Sequence, residues 1–216
     1  MTGAQQTGAR LRAGKLIPVI RTDSPAQAVD AAAALVDGGI EALEITLTIP
    51  GALGCLETLA ARHGDRIVLG AGSVLDAASA AAAIAAGARF IVSPHLNPAV
   101  VATSRRHGAF VIAGALSPTE IVTAWELGAD WVKVFPCDAV GGPAYIRALR
   151  GPLPQIPLAP TGGVGLENAA AYLAAGAVAL GVGSSLVSAA DCRAGRWEAL
   201  RDRAQALRQR VADAPP

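Results

Sequence analysis

Residues 24–48 read SPAQAVDAAAALVDGGIEALEITLT and contain one complete unit of the pattern that decides the fold. An alanine-rich segment with apolar residues at helical spacing ends at a glycine pair, and a short apolar run typical of a strand follows it. A glycine with such a run after it recurs in steps of 20 to 25 residues, at Gly14, Gly39, Gly64, Gly87, Gly108, Gly128, Gly151 and Gly176. The chain therefore contains eight strand candidates separated by helix candidates.

Alternating strands and helices require a parallel sheet with right-handed crossovers, and eight units of this size close most naturally into a barrel. We predict an α/β fold with a single (β/α)8 TIM barrel over residues 15–216, preceded by a loose N-terminal arm over residues 1–14. An extra C-terminal helix, from about residue 195 to 211, is expected to pack on the barrel. An open doubly wound sheet is the alternative, disfavoured because no GxGxxG follows the first strand.

Composition excludes several classes of protein. The 216 residues are 52% hydrophobic and 16% charged, which is enough apolar material for a large core. A net charge of +1, without long basic runs, argues against nucleic acid or a membrane surface as a partner. No stretch predicts a secretory signal or a membrane span. The three cysteines lack metal-ligand spacing, so we expect no metal and a cytoplasmic location. A small-molecule enzyme is favoured.

Two ionisable residues are predicted to face the interior of the barrel. Side chains alternate along a strand, and the apolar rows of the second and sixth strands suit the helix layer, which turns Glu44 and Lys133 inward. Only two of the 18 basic residues are lysines, Lys15 and Lys133. A lysine in an apolar strand is costly unless it is paired or neutral. The alternatives are a buried ion pair that fills space and an active site, and the location near the strand ends favours the active site.

Glycine-rich loops after the last two strands indicate an anion site. Thr161, Gly162 and Gly163 follow the seventh strand, and Gly183 and Ser184 follow the eighth. Free N–H groups in such loops, and at a helix expected to begin near residue 166, suit phosphate or carboxylate. Arg21 and Ser73 end the first and third strands at the same mouth. Arg21 suits a carboxylate, although simple solvent exposure is equally compatible with its position.

The three histidines carry less information. His95 follows the fourth strand without companion ligands, so a wall residue is favoured over a catalytic one. His63 and His107 end helices, where we expect them to meet terminal carbonyl groups.

Together these motifs resemble a known family, the class I 2-keto-3-deoxy-6-phosphogluconate (KDPG) and 4-hydroxy-2-oxoglutarate (KHG) aldolases. The similarity spans roughly residues 16 to 190. The motifs that carry it are Glu44-Ile-Thr-Leu, Gly70-Ala-Gly-Ser-Val-Leu, Val92-Ser-Pro, Ser117-Pro-Thr-Glu, Lys133-Val-Phe-Pro, Gly141-Gly-Pro, Pro160-Thr-Gly-Gly-Val and Gly181-Val-Gly-Ser.

The resemblance implies a metal-independent aldehyde-lyase, commonly a homotrimer, that needs no cofactor beyond a covalent imine. It would cleave the C3–C4 bond of a 2-keto-3-deoxy sugar acid to pyruvate and an aldehyde such as glyceraldehyde 3-phosphate. By motif match Lys133 is the Schiff-base residue and Glu44 the general acid/base. The match also implies substrate contacts by Pro94, Phe135 and Thr161, and a phosphate site at Gly162, Gly163, Gly183 and Ser184.

Three positions depart from the family pattern. Thr48 stands where well-known members carry an arginine that holds the substrate carboxylate, Ser73 replaces a frequent threonine, and Ala113 replaces a frequent proline. Arg21 is expected to take over the carboxylate, as in the related 6-phosphogalactonate aldolases, with Thr48 and Ser73 in the substrate site. The alternatives to an aldolase are a phosphosugar isomerase or epimerase with Glu44 as base, and a non-catalytic barrel that binds a phosphorylated ligand.

Overall fold

The computed structural model describes residues 2–214, which form eight parallel strands with helices between them. The strands are β1 Leu16–Ile20, β2 Ala42–Thr46, β3 Val68–Gly72, β4 Phe90–Val92, β5 Phe110–Ala115, β6 Trp131–Val134, β7 Leu158–Pro160 and β8 Leu180–Val182. The helices are α1 Gly3–Gly14, α2 Pro25–Asp37, α3 Ala52–His63, α4 Ala77–Ala85, α5 Pro98–Arg106, α6 Pro118–Glu126, α7 Pro143–Arg150, α8 Ala169–Ala174, α9 Ala189–Arg193 and α10 Trp197–Ala212. Short 3-10 turns cover Gly64–Arg66 and Asp138–Val140.

The sheet closes on itself and confirms the (β/α)8 TIM barrel. Neighbouring strands run in the order β7-β6-β5-β4-β3-β2-β1-β8, and all paired strands are parallel. A parallel bridge between Thr161 and Gly181 joins the ends of β7 and β8. The doubly wound alternative is therefore wrong, since an open sheet would leave two strand edges apart.

Strand side chains divide into an inner and an outer set, as alternation predicts. Leu43 and Ile45 of β2, with Val132 and Val134 of β6, pack in the large cluster shared with the helices. A second cluster fills the barrel interior, and its members are Leu11, Ile17, Ala42, Val68, Phe90, Val92, Phe110, Ile112, Trp131, Ala159 and Ala179. Val132 and Val134 pack against the helices, and this packing turns the alternate side chains of β6 into the barrel.

Capping residues mark the start of several helices that connect the strands. Ser24 accepts a hydrogen bond from the backbone of Gln27, and Pro25 occupies the first turn of α2. Ser117 and Glu120 form a capping box at α6, where each side chain satisfies a backbone N–H of the other. None of the helices within residues 2–214 is long and apolar enough to cross a membrane.

The predicted loose arm is instead a helix. Thr2 and Gln5 form a capping box that begins α1, and Leu11 is fully buried in the interior cluster. A Cβ on Gly8 would overlap the Phe110 ring, so α1 lies directly on the barrel. The sequence of α1 is mostly polar because only one narrow face of the helix is buried. The domain boundary at residue 14 stays a prediction, and residues 1 and 215–216 of the predicted arm and domain lie outside the described residues.

The predicted C-terminal helix is confirmed as α10. It packs against α2 and α8 and buries Leu200, Ala204, Leu207 and Val211. A Cβ on Gly38 would meet Ala204, which shows how closely α10 approaches the end of α2. The apolar stripe is therefore occupied by the barrel itself.

The helical arm makes Leu11 a test of the fold. Leu11→Ala should lower the free energy of unfolding by about 2–5 kcal/mol, because it leaves a cavity at the bottom of the barrel. The control Gln6→Ala, at an exposed position of the same helix, should change it by less than about 0.5 kcal/mol. Urea titration followed by circular dichroism measures both. Equal, small effects would mean that the arm is loose.

Candidate active site

Lys133 and Glu44 share one buried cavity inside the barrel. Lys133 lies on β6 and Glu44 on β2, and their exposed fractions are 6% and 2%. Both line a small cavity whose other walls are Ile17, Val92, Ile112, Ala159, Thr161 and Gly181. The structure thus brings together the two residues that alternation along distant strands predicts.

The carboxyl group of Glu44 is desolvated and partly unsatisfied. Its Oε1 atom is buried without a hydrogen-bond partner. A Cβ at Gly72 would overlap that oxygen, so the glycine on β3 provides the space for the carboxyl group. Burial raises the pKa of Glu44, and the positive charges of Lys133 and Arg21 oppose the rise. Glu44 therefore keeps its proton to a higher pH than an exposed glutamate does.

Lys133 does not form the buried ion pair that would merely fill space. Among the residues described, no carboxylate oxygen lies within 4.0 Å of its amine. Its Nζ atom lies 5.1 Å from the centroid of the Phe135 ring, and Phe135 is 36% exposed at the mouth. The amine therefore stands between apolar walls and an aromatic face.

Arg21 lies at the same mouth and is held by two neutral hydroxyl groups. Its Nη1 donates to Thr48 Oγ1 at 2.7 Å, and its Nη2 donates to Ser73 Oγ at 3.1 Å. Ser73 has a φ of 57°, an uncommon left-handed conformation for a serine. Arg21 has no acidic partner within residues 2–214, so its charge is not neutralised by the protein. Arg21 is thus exposed to solvent, as the sequence left open, and is also hydrogen-bonded to its two neighbours.

The loops after β7 and β8 present unpaired backbone donors. Within the described part of the chain, the N–H groups of Gly163, Gly183 and Ser184 have no hydrogen-bond partner. Gly162 and Gly163 have φ values of 97° and 66°, which glycine adopts without strain. Thr161, which is 9% exposed, bridges to Gly181 beneath them. These donors can bind an anion.

One expectation about this region is corrected, and sequence reasoning missed one neighbouring residue. The helix expected near residue 166 is a turn there, and α8 begins at Ala169, so the loop and not a helix terminus supplies the donors. The Asp138 carboxylate was not predicted but lies beside the loop, where a Cβ on Gly163 would contact it. The sequence signal that could have indicated Asp138 is its position four residues after the end of β6, the strand that carries Lys133.

The remaining candidates lie at the rim. The chain at Pro94 and His95 crosses over Gly114, where a Cβ would collide with their backbone. Pro94 is half-buried and His95 is exposed, as expected of wall residues. Ala113 belongs to the outer cluster, so its departure from the family pattern changes the helix layer and not the site.

The expectation that His63 meets terminal carbonyls is wrong. Both its ring nitrogens are buried without partners, and burial lowers the pKa of this histidine, with Arg66 and Arg62 adding to the effect.

A larger cavity, of about 360 Å³, lies at the opposite end of the barrel, at the starts of β1 and β2. Lys15, Arg208, Arg10 and Glu41 line it, and Arg10 pairs with Glu41. None of the predicted site residues borders it. Nowhere in residues 2–214 are three His, Cys, Asp or Glu side chains grouped so that they could hold a metal ion.

Comparison with known proteins gives a consistent result. Residues 7–202 match the model of the aldolase family described as KDPG and KHG aldolase. A 2-dehydro-3-deoxy-phosphogluconate aldolase of Treponema pallidum is 40% identical over 181 residues, covering 84% of this chain and 86% of the relative. A 2-dehydro-3-deoxy-6-phosphogalactonate aldolase of Escherichia coli is 35% identical over 175 residues, covering 81% and 85%. Among solved structures, KDPG aldolase from Legionella pneumophila, with pyruvate captured at low pH as a covalent carbinolamine intermediate, has a TM-score of 0.86 and 32% identity, covering 94% of this chain and 98% of that one.

The burial of Glu44 makes stability depend on pH. Because its folded-state pKa lies above the ordinary value of 4.5, the protonated form stabilises the fold fully below pH 4.5, and this contribution is lost as pH rises through the folded-state pKa. Glutamine does not titrate, so the Glu44→Gln variant does not lose stability in this way as pH rises. Its free energy of unfolding, minus that of the parent, should grow with pH by at most about 1.4 kcal/mol per unit. Urea unfolding between pH 4.5 and 8 measures it, and a constant difference contradicts the prediction.

Proposed function

The chain belongs to the KDPG and KHG aldolase family, and from this premise we propose how its own residues perform the aldolase reaction. It is an aldehyde-lyase that splits a 2-keto-3-deoxy sugar acid into pyruvate and an aldehyde. The observation that supports the residue assignment best is the shared burial of Lys133 and Glu44 in one cavity inside the barrel.

Lys133 supplies the covalent step. Its neutral amine attacks the C2 ketone to give a carbinolamine, and loss of water gives a protonated imine, which withdraws electrons from the C3–C4 bond. The cavity that the amine borders has apolar walls, formed by Ile17, Val92, Ile112 and Ala159. The pyruvate carbinolamine captured in the Legionella pneumophila relative is the first adduct that such an amine forms with a ketone.

Glu44 moves the protons. It assists loss of water from the carbinolamine, and its carboxylate then takes the proton of the C4 hydroxyl group as the C3–C4 bond breaks. The aldehyde leaves, and the electron pair of the broken bond forms an enamine between C2 and C3. Glu44 returns a proton to C3, water hydrolyses the imine, and pyruvate is released. The raised pKa of Glu44 supports this double role, since one carboxyl must both accept and donate.

Arg21 and Ser73 bind the substrate carboxylate. The Arg21 guanidinium is fixed at the mouth and is not neutralised by an acid of the protein, so its remaining N–H groups can bind two carboxylate oxygens. Pro94 and Phe135 form walls beside the keto acid. Phe135 also shields the reacting amine from water.

The other end of the substrate binds over the last two strands. Gly163, Gly183 and Ser184 receive a phosphate through their unpaired N–H groups, and Gly162 and the hydroxyl groups of Thr161 and Ser184 complete the site. This binding mode supports a 6-phosphorylated substrate, for which the aldehyde is glyceraldehyde 3-phosphate. We further propose that the enzyme uses no metal or organic cofactor, assembles as a homotrimer and works in the cytoplasm.

The lysine assignment is tested by trapping the imine. Incubation with pyruvate and borohydride should add one reduced pyruvyl group to a peptide containing Lys133, detected by mass spectrometry. Lys133→Ala should lose the adduct and lower the rate of pyruvate release from KDPG and its galactonate epimer by at least about 10³-fold. The control Lys15→Ala, on the other lysine, should retain both. Absence of the parent adduct would favour a reaction in which Lys133 acts only through its charge.

The assignment of Arg21 predicts a loss that depends on the ligand's charge. Arg21→Gln should raise the half-saturating concentration of pyruvate in the trapping assay by roughly 10- to 100-fold, because hydrogen bonds to charged groups are worth about 1.5–3 kcal/mol. Pyruvamide has the same ketone but no negative charge, so its half-saturating concentration should change less than about threefold. An equal rise in the half-saturating concentrations of both ligands would show that Arg21 does not bind the carboxylate.

A further inference from the structure

We infer that Thr46, a residue without a place in the chemistry above, positions Arg21 through a chain of hydroxyl groups. The inference rests on the proposed role of Arg21. The chain begins at the Ile20 carbonyl, passes through Thr46 and Thr48, and ends on the Arg21 guanidinium. Its specific consequence is that Thr48 acts on the substrate through Arg21 and does not donate to it.

The hydroxyl protons of Thr46 and Thr48 each have only one available acceptor. Thr46 Oγ1 lies 3.0 Å from the Ile20 carbonyl oxygen, which can only accept, so Thr46 donates its single proton there. Thr46 Oγ1 also lies 3.0 Å from Thr48 Oγ1. Because the proton of Thr46 is already committed, Thr48 must be the donor of that second bond. Thr48 then has no proton left, and its oxygen accepts from Arg21 Nη1 at 2.7 Å.

A hydroxyl group without a free proton cannot bind a carboxylate by a hydrogen bond, since carboxylate oxygens only accept. Thr48 is therefore oriented with its lone pair toward the arginine and contributes by fixing it. Ser73 differs, because its oxygen accepts from Arg21 Nη2 and its proton has no other partner within residues 2–214. Ser73 keeps a donor for the ligand, whereas Thr48 does not.

The chain is also a closed ring, since Ile20 and Arg21 are consecutive residues. It ties the end of β1 to the end of β2, which carries Glu44 two residues before Thr46. Thr46 is fully buried, and its bonds form in a region of low dielectric where they are strong and directional. Arg21 and Thr48 are exposed, so Thr46 is the buried link that restricts an otherwise mobile arginine.

Orienting Arg21 in this way favours carboxylate binding without adding charge. Neutral acceptors leave the guanidinium with its full positive charge, whereas an acidic partner would compete with the substrate. Restricting the side chain before binding reduces the entropy lost when the ligand arrives. The expected signature is therefore weaker binding of a carboxylate ligand when the chain is broken, with the lysine chemistry kept.

Thr46→Val tests the inference, because valine has nearly the same shape but no hydroxyl group. It should raise the half-saturating concentration of pyruvate in borohydride trapping about five- to tenfold and leave that of pyruvamide within about twofold. Thr46→Ser keeps the hydroxyl group and should restore the parent value to within about twofold. In an Arg21→Gln background, Thr46→Val should not change the pyruvate-to-pyruvamide ratio further.

Thr48→Val breaks the same chain at an exposed position and should reproduce the effect if Thr46→Val does not fold. Equal weakening of both ligands, or no change in their ratio, would overturn the positioning role of Thr46. If Arg21→Gln raises the pyruvate-to-pyruvamide ratio of half-saturating concentrations and neither threonine variant does, only this inference fails. If Arg21→Gln itself leaves the ratio unchanged, the carboxylate role of Arg21 fails and the inference fails with it.

Discussion

Every second side chain of a strand in a closed barrel must enter an interior that water does not reach. This constraint decides what the molecule can do, because an ionisable group on an inward position is desolvated. The lower interior is filled by an apolar cluster that includes Leu11, Phe90 and Trp131. Near the mouth the inward positions carry Glu44 and Lys133. The same alternation therefore builds an apolar core at one level and the proposed active site at the next.

Burial sets the behaviour of the Glu44 carboxyl group. It raises the pKa of that group, and the positive charges of Lys133 and Arg21 oppose the rise. The positive charge of Arg21, which we propose binds the substrate carboxylate, lies further out, where water still reaches it. Hydroxyl groups in place of acids hold this arginine, so the charge stays available. The buried residues Glu44 and Lys133 are thus separated from the exposed Arg21, which follows the end of β1.

Much of this arrangement could be predicted from residues alone. The glycine period predicted eight strands, and the apolar rows Leu43–Ile45 and Val132–Val134 predicted that Glu44 and Lys133 face inward. Both predictions are confirmed. The N-terminal arm was mispredicted, because the buried face of α1 depends mainly on Leu11, and one apolar residue in a polar segment gives no periodic signal. The partners of His63 were also mispredicted, since a helix-end position does not fix where an imidazole points.

The sequence by itself determined the element order, the parity of each strand and the motifs of the aldolase family, because these depend on local spacing along the chain. Tertiary structure alone decided that Arg21 meets Thr48 and Ser73, that Gly72 makes room for the Glu44 carboxyl group, and that Thr46 is buried under Thr48. These contacts join different strands of the barrel. Their geometry depends on the register in which the strands pair, and spacing along a single chain does not specify which atoms of neighbouring strands meet.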